Sequence, residues 1–399
     1  MDRIPIEQAR DLLLSHIQQK GWELTDITEA YGRISAEDVF APAAVPSFRR
    51  SAMDGYAVRA ADTAAADRAA PAELAVSGVL YAGDYGEIQC APFTAVRVMT
   101  GSYIPDGYDA VVMQEDTDLG MEKVRVYKAA EAGRNICPVG EEFDRGDLIV
   151  SRGQMIDRIA VFLLASAGVD RVKTVCIPKV AVITTGSELD DPHGALRAGH
   201  IYNGLGCAVS YAVRDRGAEP LYVLHCNDDA DEIADTIQGI SGDVDLVITT
   251  GGVSVGEKDL LPQAMEKLRA QVLFHGTFIQ PGTPTMGAVY DVPILCLSGN
   301  PFAALANLDY YFPYVMARLT GHEGYLTKER TAVLSSEYSK VNRLRRFVRA
   351  KYEDGRVYLP TQGHFSSVLG DLTLCNCYID LDADTAVRTG DTVRIRMML

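Results

Sequence analysis

Four apolar, β-branched segments in the middle of the chain constrain its fold more than any other feature. They are residues 179–186, 220–226, 245–252 and 293–300. Helical stretches separate or follow them, at 204–217, 229–240, 259–270 and 301–319. Strands that alternate with helices build a parallel sheet with helices on both faces, and continuous apolar runs are typical of strands buried on both faces. The pattern predicts a doubly wound α/β domain with four buried parallel strands.

The segments before and after this α/β region have different sequence patterns. The first forty residues begin with apolar residues at helical spacing, which predicts a helix near the N-terminus. From about residue 45, short β-branched runs separated by Gly and Pro predict a β-rich region, either barrel-like or a twisted ribbon. Short strands return after Gly321 and predict a small all-β domain at the C-terminus.

Length, net charge and cysteine usage limit the classes of protein to which the chain can belong. A chain of 399 residues is long enough for several domains, and its formal net charge of −16 gives no electrostatic attraction to nucleic acid or an anionic membrane surface. No apolar run reaches the roughly 20 residues that span a bilayer. Asp2 and Glu7 lie where a signal peptide would be basic and then apolar, and eight scattered Cys do not resemble a disulfide framework. We therefore expect a soluble, multidomain, cytoplasmic protein.

Three of the four predicted strands end in glycine-containing turns. The turns span residues 184–188, 249–256 and 298–301. In an open parallel sheet the carboxyl ends of the strands meet at one edge, so these turns are expected to lie together. Glycine turns let backbone amides face an anion, and a following helix adds its positive N-terminus. One such turn is usually structural, but three favour a phosphate-binding site, although the pattern matches neither a P-loop nor a dinucleotide fingerprint.

Acidic residues accompany these turns. Glu188 and Asp259 follow two of them, and Asp228 with Asp229 follows the segment 220–226. A single acid after a turn is more often a helix cap than a metal ligand. Together they would repel a phosphate unless a hard cation lay between, and Mg²⁺ is commonly held by carboxylates plus substrate phosphates. The residues thus predict a phosphorylated or nucleotide-bearing ligand bridged by Mg²⁺, with Glu188, Asp228 and Asp259 as the candidate ligands and the choice among them left open.

Five motifs, in this order and at these spacings, identify a resemblance to a known family. They are SAMDGYAV (51–58), VRVMTGSYIPDGYDAVVMQED (96–116), ITTGSEL (183–189), VITTGGVSVGEKD (247–259) and SGNP (298–301). The chain resembles the MoeA-type molybdopterin molybdenumtransferases, to which the C-terminal domain of gephyrin also belongs. The likeness extends from the N-terminal helix to the last strand.

The resemblance implies a multidomain α/β plus β architecture. It consists of an elongated N-terminal domain (1–50 and 141–176), an inserted β-domain (51–140), a doubly wound molybdopterin-binding α/β domain (177–325) and a C-terminal β-barrel domain (326–399). It also implies a homodimer, whose active cleft forms between the α/β domain of one subunit and the MDGYA region of the other.

The implied reaction belongs to molybdenum cofactor biosynthesis. It is the Mg²⁺-dependent hydrolysis of adenylylated molybdopterin, with insertion of molybdate into its dithiolene and release of AMP. A molybdopterin adenylyltransferase and molybdoenzyme apoproteins are further expected partners, whereas nucleic acid and membrane are not.

Site residues carry over where the motifs match. The implied catalytic residues are Asp54, Thr100, Glu188, Asp228 and Asp259, the last tied to cleavage of the adenylate. The implied substrate-binding residues are Gly186, Ser187, Gly251, Gly252, Ser254, Gly256, Gly299 and Asn300 in the α/β domain, and Arg349 and Ser366 on the oxyanion.

The chain departs from the family pattern where the family carries three lysines that help to hold molybdate and phosphate. Gly276, Gln280 and Thr283 occupy those places. Loss of a buried charge partner costs about 2–5 kcal/mol, so oxyanion binding is expected to weaken unless other cations substitute. The candidates for substitution are Arg349, His275 and Lys258. Smaller departures are Asn203-Gly204-Leu205, Ser298, Gly140-Glu141-Glu142 and His364-Phe365-Ser366.

Two interpretations follow from these departures. In the first, the protein is an active molybdenumtransferase, with molybdate or a different oxyanion such as tungstate as substrate. In the second, it has lost insertion activity and serves as a pterin-binding or scaffold protein. The retained acids favour the first, because a scaffold has no use for a rim of mutually repelling carboxylates, and the missing lysines favour the second.

Overall fold

The structure is a computed structural model that describes residues 3–253, 260–326, 329–338, 340–360 and 369–398. In chain order up to residue 176 the helices and strands are α1 (Ile6–Leu14), β1 (Trp22–Asp26), β2 (Val39–Phe40), β3 (Arg50–Ser51), β4 (Gly55–Val58), α2 (Ala60–Thr63), β5 (Ala72–Leu80), β6 (Thr94–Val98), β7 (Ala110–Met113), β8 (Lys123–Val126), β9 (Ile136–Cys137), β10 (Leu148–Val150), α3 (Arg158–Ser166) and β11 (Arg171–Val175).

The α/β region follows, with β12 (Lys179–Thr185), β13 (Leu189–Asp190), β14 (Ile201–Tyr202), α4 (Gly204–Asp215), β15 (Glu219–Cys226), α5 (Ala230–Ile240), β16 (Leu246–Thr250), α6 (Leu260–Leu268), β17 (Gln271–His275), β18 (Ile279–Gln280), β19 (Met286–Val289), β20 (Pro293–Leu297) and α7 (Pro301–Thr320). The remaining strands are β21 (Arg330–Leu334), β22 (Arg345–Glu353), β23 (Arg356–Tyr358), β24 (Cys377–Leu381) and β25 (Thr392–Met397).

The first region contains two kinds of β-structure. Strands β7, β4, β6, β5 and β8 form one five-stranded sheet, in that order. All four residues of β4 are buried, because the sheet has an apolar cluster on each face. Outside this sheet, β1 pairs with β11 and β2 pairs with β10. The chain before the five-stranded sheet thus pairs with the chain after it, and the predicted division into domains stays a prediction.

The α/β sheet has the strand order β15-β12-β16-β20-β19-β17. The first four strands are parallel, as the sequence predicts. Strands β19 and β17 extend the sheet in antiparallel fashion and were not predicted. The prediction that residues 220–226 form a fully buried strand was wrong: β15 lies at the edge of the sheet, and Val223 is half exposed.

Helices cover both faces of this sheet. Successive residues of a strand point to opposite faces, so Val180 and Val182 of β12 pack with α1, α4 and α7. Ala181 and Ile183 pack with α5 and α6 on the other face. Because helices pack on both faces of the sheet, the sequences of its central strands are continuous apolar runs.

The C-terminal strands form a closed barrel, as predicted. The order is β22-β23-β21-β25-β24, and β24 pairs back with β22. The short strand β18 of the α/β region joins this barrel by pairing in parallel with β22. Where the barrel meets α1, the buried carboxylate of Asp380 binds Arg345 and Arg396, and Arg345 also binds Glu7 of α1.

Candidate active site

The three glycine turns meet at one edge of the α/β sheet, as predicted. They follow β12, β16 and β20, which are neighbours in the sheet. The backbone of Gly251 has φ +94°, and a Cβ atom there would lie 2.5 Å from the carbonyl oxygen of Thr185. A Cβ atom on Gly299 would lie 3.3 Å from the Cα of Gly251. Only glycine fits at position 251, because both the backbone conformation and the close approach exclude a side chain.

The turns surround a cavity of about 820 Å³. Its polar side is lined by predicted site residues, namely Gly186, Glu188, Asp228, Gly251, Gly252, Gly299 and Asn300. This volume is in the range of sites for cofactor-sized ligands. Several of the predicted site residues therefore line one concave site.

Two carboxylates lie at this rim. The carboxylate of Asp228 accepts a hydrogen bond from the backbone N–H of Ser187 at 3.2 Å, and the N–H of Asp228 donates to Ser187 Oγ at 3.1 Å. Glu188 folds back over Gly186, where a Cβ atom would lie 2.7 Å from Glu188 Oε2. Ser187 thus fixes the end of β15 against the turn after β12, and both acids stay available to a ligand.

Two helices begin at the cavity. Asn300 caps α7, since its Oδ1 accepts a hydrogen bond from the N–H of Ala303 at 3.1 Å. Asn203 caps α4 in the same way through the N–H of Gly206, and its Nδ2 donates to Thr184 Oγ1 at 2.7 Å. Helix N-termini favour negative charge. The backbone of this side of the cavity is therefore suited to an anion.

Other residues that line the cavity are apolar. They are Leu189, Ile201, Leu205, Leu305, Leu369 and Leu372. Ile201 is 58% exposed. These residues come from β13, β14, α4, α7 and the segment before β24, which only the tertiary fold brings together. The site therefore offers polar groups to the charged parts of a ligand and apolar side chains to a ring, and sequence analysis missed the apolar side chains.

Asp54 and Thr100 form a separate pair in the inserted sheet region and do not line this cavity. The backbone N–H of Thr100 donates to Asp54 Oδ1 at 2.7 Å, and its hydroxyl donates to the same oxygen at 2.9 Å. These two hydrogen bonds lower the pKa of the exposed Asp54 carboxyl. The structure therefore joins the two predicted residues to each other, while their role at the active site stays a prediction.

Arg349 is fully buried rather than open to the cavity. Its Nη2 lies 2.9 Å from Asp371 Oδ2, and its guanidinium stacks 4.8 Å from the ring centroid of Phe302. Its predicted contact with an oxyanion stays a prediction. Ser254, Gly256, Lys258, Asp259 and Ser366 lie outside the described residues.

The three positions that replace family lysines hold no cation of their own. Gly276 has φ +98°, a conformation unfavourable to lysine, and the side chain of Arg3 lies above it, with Cγ 3.1 Å from the place of a Cβ atom. Gln280 is exposed in β18, and Thr283 donates its hydroxyl to the carbonyl of Ile279 at 2.7 Å. Sequence analysis did not find Arg3, because its contact with Gly276 spans most of the chain.

The predicted Mg²⁺ ligands are divided between described and undescribed residues. Glu188 and Asp228 line the cavity, whereas Asp259 is outside the described chain. Among the described residues no group of three His, Cys, Asp or Glu side chains could hold a metal ion by itself. Carboxylate oxygens are nevertheless the donors that Mg²⁺ prefers, and the ion commonly completes its shell with substrate phosphate and water. Glu188 and Asp228 therefore fit the ion chemically.

Three family models match the chain. They are the MoeA N-terminal region (domain I and II) over residues 4–168, a probable molybdopterin binding domain over 181–317 and the MoeA C-terminal region (domain IV) over 331–396. The matches follow the same order as the structural regions described above.

Relatives of similar length support these matches. The molybdopterin molybdenumtransferase of Bacillus subtilis strain 168 is 34% identical over 405 residues, covering 99% of this chain and 94% of the relative. That of Staphylococcus aureus strain COL is 32% identical over 397 residues, covering 98% and 95%. The solved structure of the molybdopterin biosynthesis MoeA protein from Pyrococcus horikoshii matches with a TM-score of 0.86 at 30% identity, covering 99% of both chains.

No described helix is both long and apolar enough to traverse a bilayer.

Proposed function

The chain belongs to the MoeA family of molybdopterin molybdenumtransferases, and we propose that it catalyses Mg²⁺-dependent insertion of molybdate into adenylylated molybdopterin with release of AMP. The observation that carries the proposal is the rim itself. Three glycine turns, two capped helix N-termini and two carboxylates face one cavity. This combination suits a ligand that bears a pyrophosphate and a ring.

The chain's own groups divide the work of this reaction. Backbone amides at Gly252 and Gly299 would hold the pyrophosphate oxygens, the N–H of Gly251 being donated to the carbonyl of Leu297, and the α7 N-terminus adds positive potential. Glu188 and Asp228 would hold Mg²⁺, which when bound neutralises charge on the phosphate and makes AMP a better leaving group. Asp259 is proposed to act in cleavage of the adenylate, on the strength of the motif match alone. Arg349 and Ser366 are proposed to bind the oxyanion on the same basis.

We further propose a homodimer whose active cleft combines this cavity with the Asp54–Thr100 pair of a second subunit. That pair does not line the cavity of its own chain. Large apolar side chains are exposed on the region outside the inserted sheet, at Trp22 (58%), Ile159 (54%) and Phe162 (63%). Exposed apolar surface of this kind is typical of an interaction site.

Mixed dimers test the composite cleft. Subunits carrying Asp54→Asn are unfolded and refolded together with subunits carrying Asp228→Asn, and AMP release is measured. If each site combines both residues across the interface, half of the dimers are mixed and one of their two sites is intact. Activity then recovers to about a quarter of the wild-type value. No recovery, with mixed dimers verified by differential tags, would contradict a cleft shared between subunits.

The direct test of the activity is AMP release from adenylylated molybdopterin with Mg²⁺, while molybdate and, separately, tungstate are titrated. Asp228→Asn is expected to lower the rate by about 10²–10³-fold, because it removes a charged ligand of the Mg²⁺ that would stabilise the reacting phosphate. Asp229→Asn is the matched control. Asp229 caps α5 through the N–H groups of Asp231 and Glu232, and asparagine caps equally well.

The alternative is a pterin-binding or scaffold protein without insertion activity, and the absence of cations at Gly276, Gln280 and Thr283 favours it. Tight binding of the adenylylate without turnover at any oxyanion concentration would establish this alternative. AMP release that depends on tungstate rather than molybdate would instead change the substrate. We place an active enzyme in the cytoplasm, between a molybdopterin adenylyltransferase and the apoproteins that receive the cofactor.

A further inference from the structure

The apolar side of the cavity depends on one excursion of the chain between β12 and α4. Strands β13 and β14 are its two ends, and they pair in parallel, Leu189 with Ile201 and Asp190 with Tyr202. Leu189, Ile201 and Tyr202 all line the cavity. The ten residues between the two strands form a loop, which we call the 191–200 loop. Its two ends carry these three residues of the wall.

Asp190 is the centre of the contacts that hold this loop. Its side chain is only 8% exposed, although the residues that follow it are exposed. Asp190 Oδ2 accepts a hydrogen bond from the backbone N–H of Arg197 at 2.8 Å, and Oδ1 accepts from Arg197 Nε at 2.7 Å. Nδ1 of His200 lies 3.4 Å from Oδ1. One carboxylate therefore ties the far end of the loop to its beginning.

The excursion is also joined to the acid rim. The N–H of Ile201 donates to the carbonyl of Glu188 at 2.9 Å, and the N–H of Asn203 donates to the carbonyl of Asp190 at 2.9 Å. These two bonds use backbone atoms and survive substitution of the Asp190 side chain. The side chain of Asp190 therefore acts directly on the 191–200 loop through Arg197, while these backbone bonds keep Glu188 joined to Ile201.

Two large apolar side chains of this wall are exposed to solvent. Ile201 is 58% exposed and Tyr202 is 46% exposed, and both stand at the cavity rather than in a core. A loop that holds two large apolar side chains in solvent gains stability when a ring covers them. The aliphatic side chains of Leu189 and Ile201 offer no hydrogen-bond donor, so a ring is better suited than a phosphate to cover them.

We propose that Asp190 is a positioning residue that holds the 191–200 loop so that Leu189, Ile201 and Tyr202 form the surface on which the pterin part of the substrate packs. The inference rests on the proposed function and adds a residue, outside the rim, that governs affinity for the ring. Asp190 itself touches neither the ring nor the phosphate in this arrangement. It acts through Arg197.

The test compares Asp190→Asn with Asp191→Asn. Asp191 is the adjacent, exposed carboxylate, whose Oδ1 accepts from the N–H of His193 at 2.8 Å. Both variants lose one negative charge, at adjacent positions of the chain, but only the first loses the ion pair with Arg197. Arg197→Ala is a second variant, at a side chain 63% exposed whose loss does not threaten folding.

Three quantities are measured on the full chain: the affinity for molybdopterin, the affinity for AMP, and the KM and kcat of AMP release. Asp190→Asn is expected to weaken molybdopterin binding and raise KM by about tenfold, the equivalent of losing one apolar contact surface. AMP affinity stays unchanged, and kcat stays within about threefold. Amide hydrogen exchange of residues 191–200 accelerates, whereas Asp191→Asn leaves all of these at wild-type values.

The remaining outcomes overturn either the inference alone or the proposed function together with it. Weaker AMP binding, alone or together with weaker molybdopterin binding, would mean that the wall serves the adenine or that the damage is general, and would overturn the inference. Unchanged molybdopterin affinity in Asp190→Asn and Arg197→Ala, with an active wild type, would overturn the inference and leave the proposed function standing. A wild-type protein that neither binds molybdopterin nor releases AMP would overturn the proposed function, and the inference with it.

Discussion

Two carboxylates of this molecule have opposite surroundings. Asp380, where the barrel meets α1, is 2% exposed and has Arg345 Nη2 at 2.6 Å and Arg396 Nε at 3.0 Å. Asp228, at the cavity, accepts a hydrogen bond from a backbone amide. None of the ion pairs among the described residues involves Asp228 or Glu188.

The difference separates a charge that holds the fold from a charge that serves a ligand. A buried carboxylate is tolerable only when the protein itself neutralises it, and removal of one partner leaves an uncompensated charge. A carboxylate at a site remains open to a cation or substrate, so the fold gains little from it. Substitutions at the two places should therefore affect different properties of the protein.

The largest effect on stability is expected for Asp380→Asn. This change removes the counter-charge that Arg345 and Arg396 share and leaves each with one carboxylate partner, Glu7 and Glu329, so it should lower the free energy of unfolding by about 3 kcal/mol, the low end for a broken buried pair. Urea unfolding followed by circular dichroism measures it. The control is Asp382→Asn, which removes a 2.5 Å contact with Arg394 from a side chain 64% exposed and should cost at most about 1 kcal/mol. Equal losses in the two variants would remove the distinction drawn here.

Gly251→Ala should have a smaller effect on stability, at the rim itself. The backbone has φ +94° and the added methyl group would lie 2.5 Å from the carbonyl oxygen of Thr185. We expect a loss of about 1–3 kcal/mol in the free energy of unfolding, together with weaker AMP binding. Gly133→Ala, with φ +83° and open space around it, isolates the backbone contribution. A variant at 251 no less stable than the one at 133 would show that the turn can relax.

The dependence of stability on pH should also come from Asp380. Burial alone would raise the pKa of its carboxyl, but hydrogen bonds from Arg345 and Arg396 outweigh burial and hold the pKa below its ordinary value. A lowered folded pKa stabilises the protein above about pH 4, where the unfolded carboxyl is also ionised. This contribution disappears as the pH falls through the folded pKa.

Urea midpoints measured from pH 6 to pH 3 check this expectation. The wild type should lose stability in the acid part of the range, and Asp380→Asn should lose less over the same interval. Parallel curves for the two proteins would assign the acid sensitivity to other carboxyls.

The smallest effect on stability is expected for Asp228→Asn. The substituted amide keeps an oxygen that accepts from the N–H of Ser187, so the free energy of unfolding should change by no more than about 0.5 kcal/mol. Thermal unfolding on the samples used for AMP release provides the measurement. A loss as large as that of Asp380→Asn would mean that Asp228 holds the fold and that its loss of activity is indirect.

Much of the fold follows from local sequence patterns. The strands β12, β16 and β20 are recognisable because burial on both faces demands continuous apolar runs, and the rule for parallel sheets then places their turns at one edge. The same reasoning failed for β15, because an apolar run does not reveal whether a strand lies at the centre or the edge of a sheet. Strands β17 and β19 were missed because the segment between them is rich in Gly and Pro.

The site was predictable where it depends on turns and not where it depends on distant contacts. The glycine turns and Asp228 follow directly from strand ends. The apolar wall brings Ile201 together with Leu369, which lie far apart in sequence, and no periodicity links them. Arg3 above Gly276 is hidden for the same reason.

The pairing of β18 with β22 has a consequence for how this protein can be divided. Ile279 and Gln280 belong to the α/β region in sequence but pair with Arg345 and Arg346 in the barrel sheet. A truncation after residue 325 would leave the backbone of β18 as an open strand edge, which invites association with other chains. The barrel is therefore not an exchangeable module, and chimeras with relatives should exchange residues 276–285 and the barrel together.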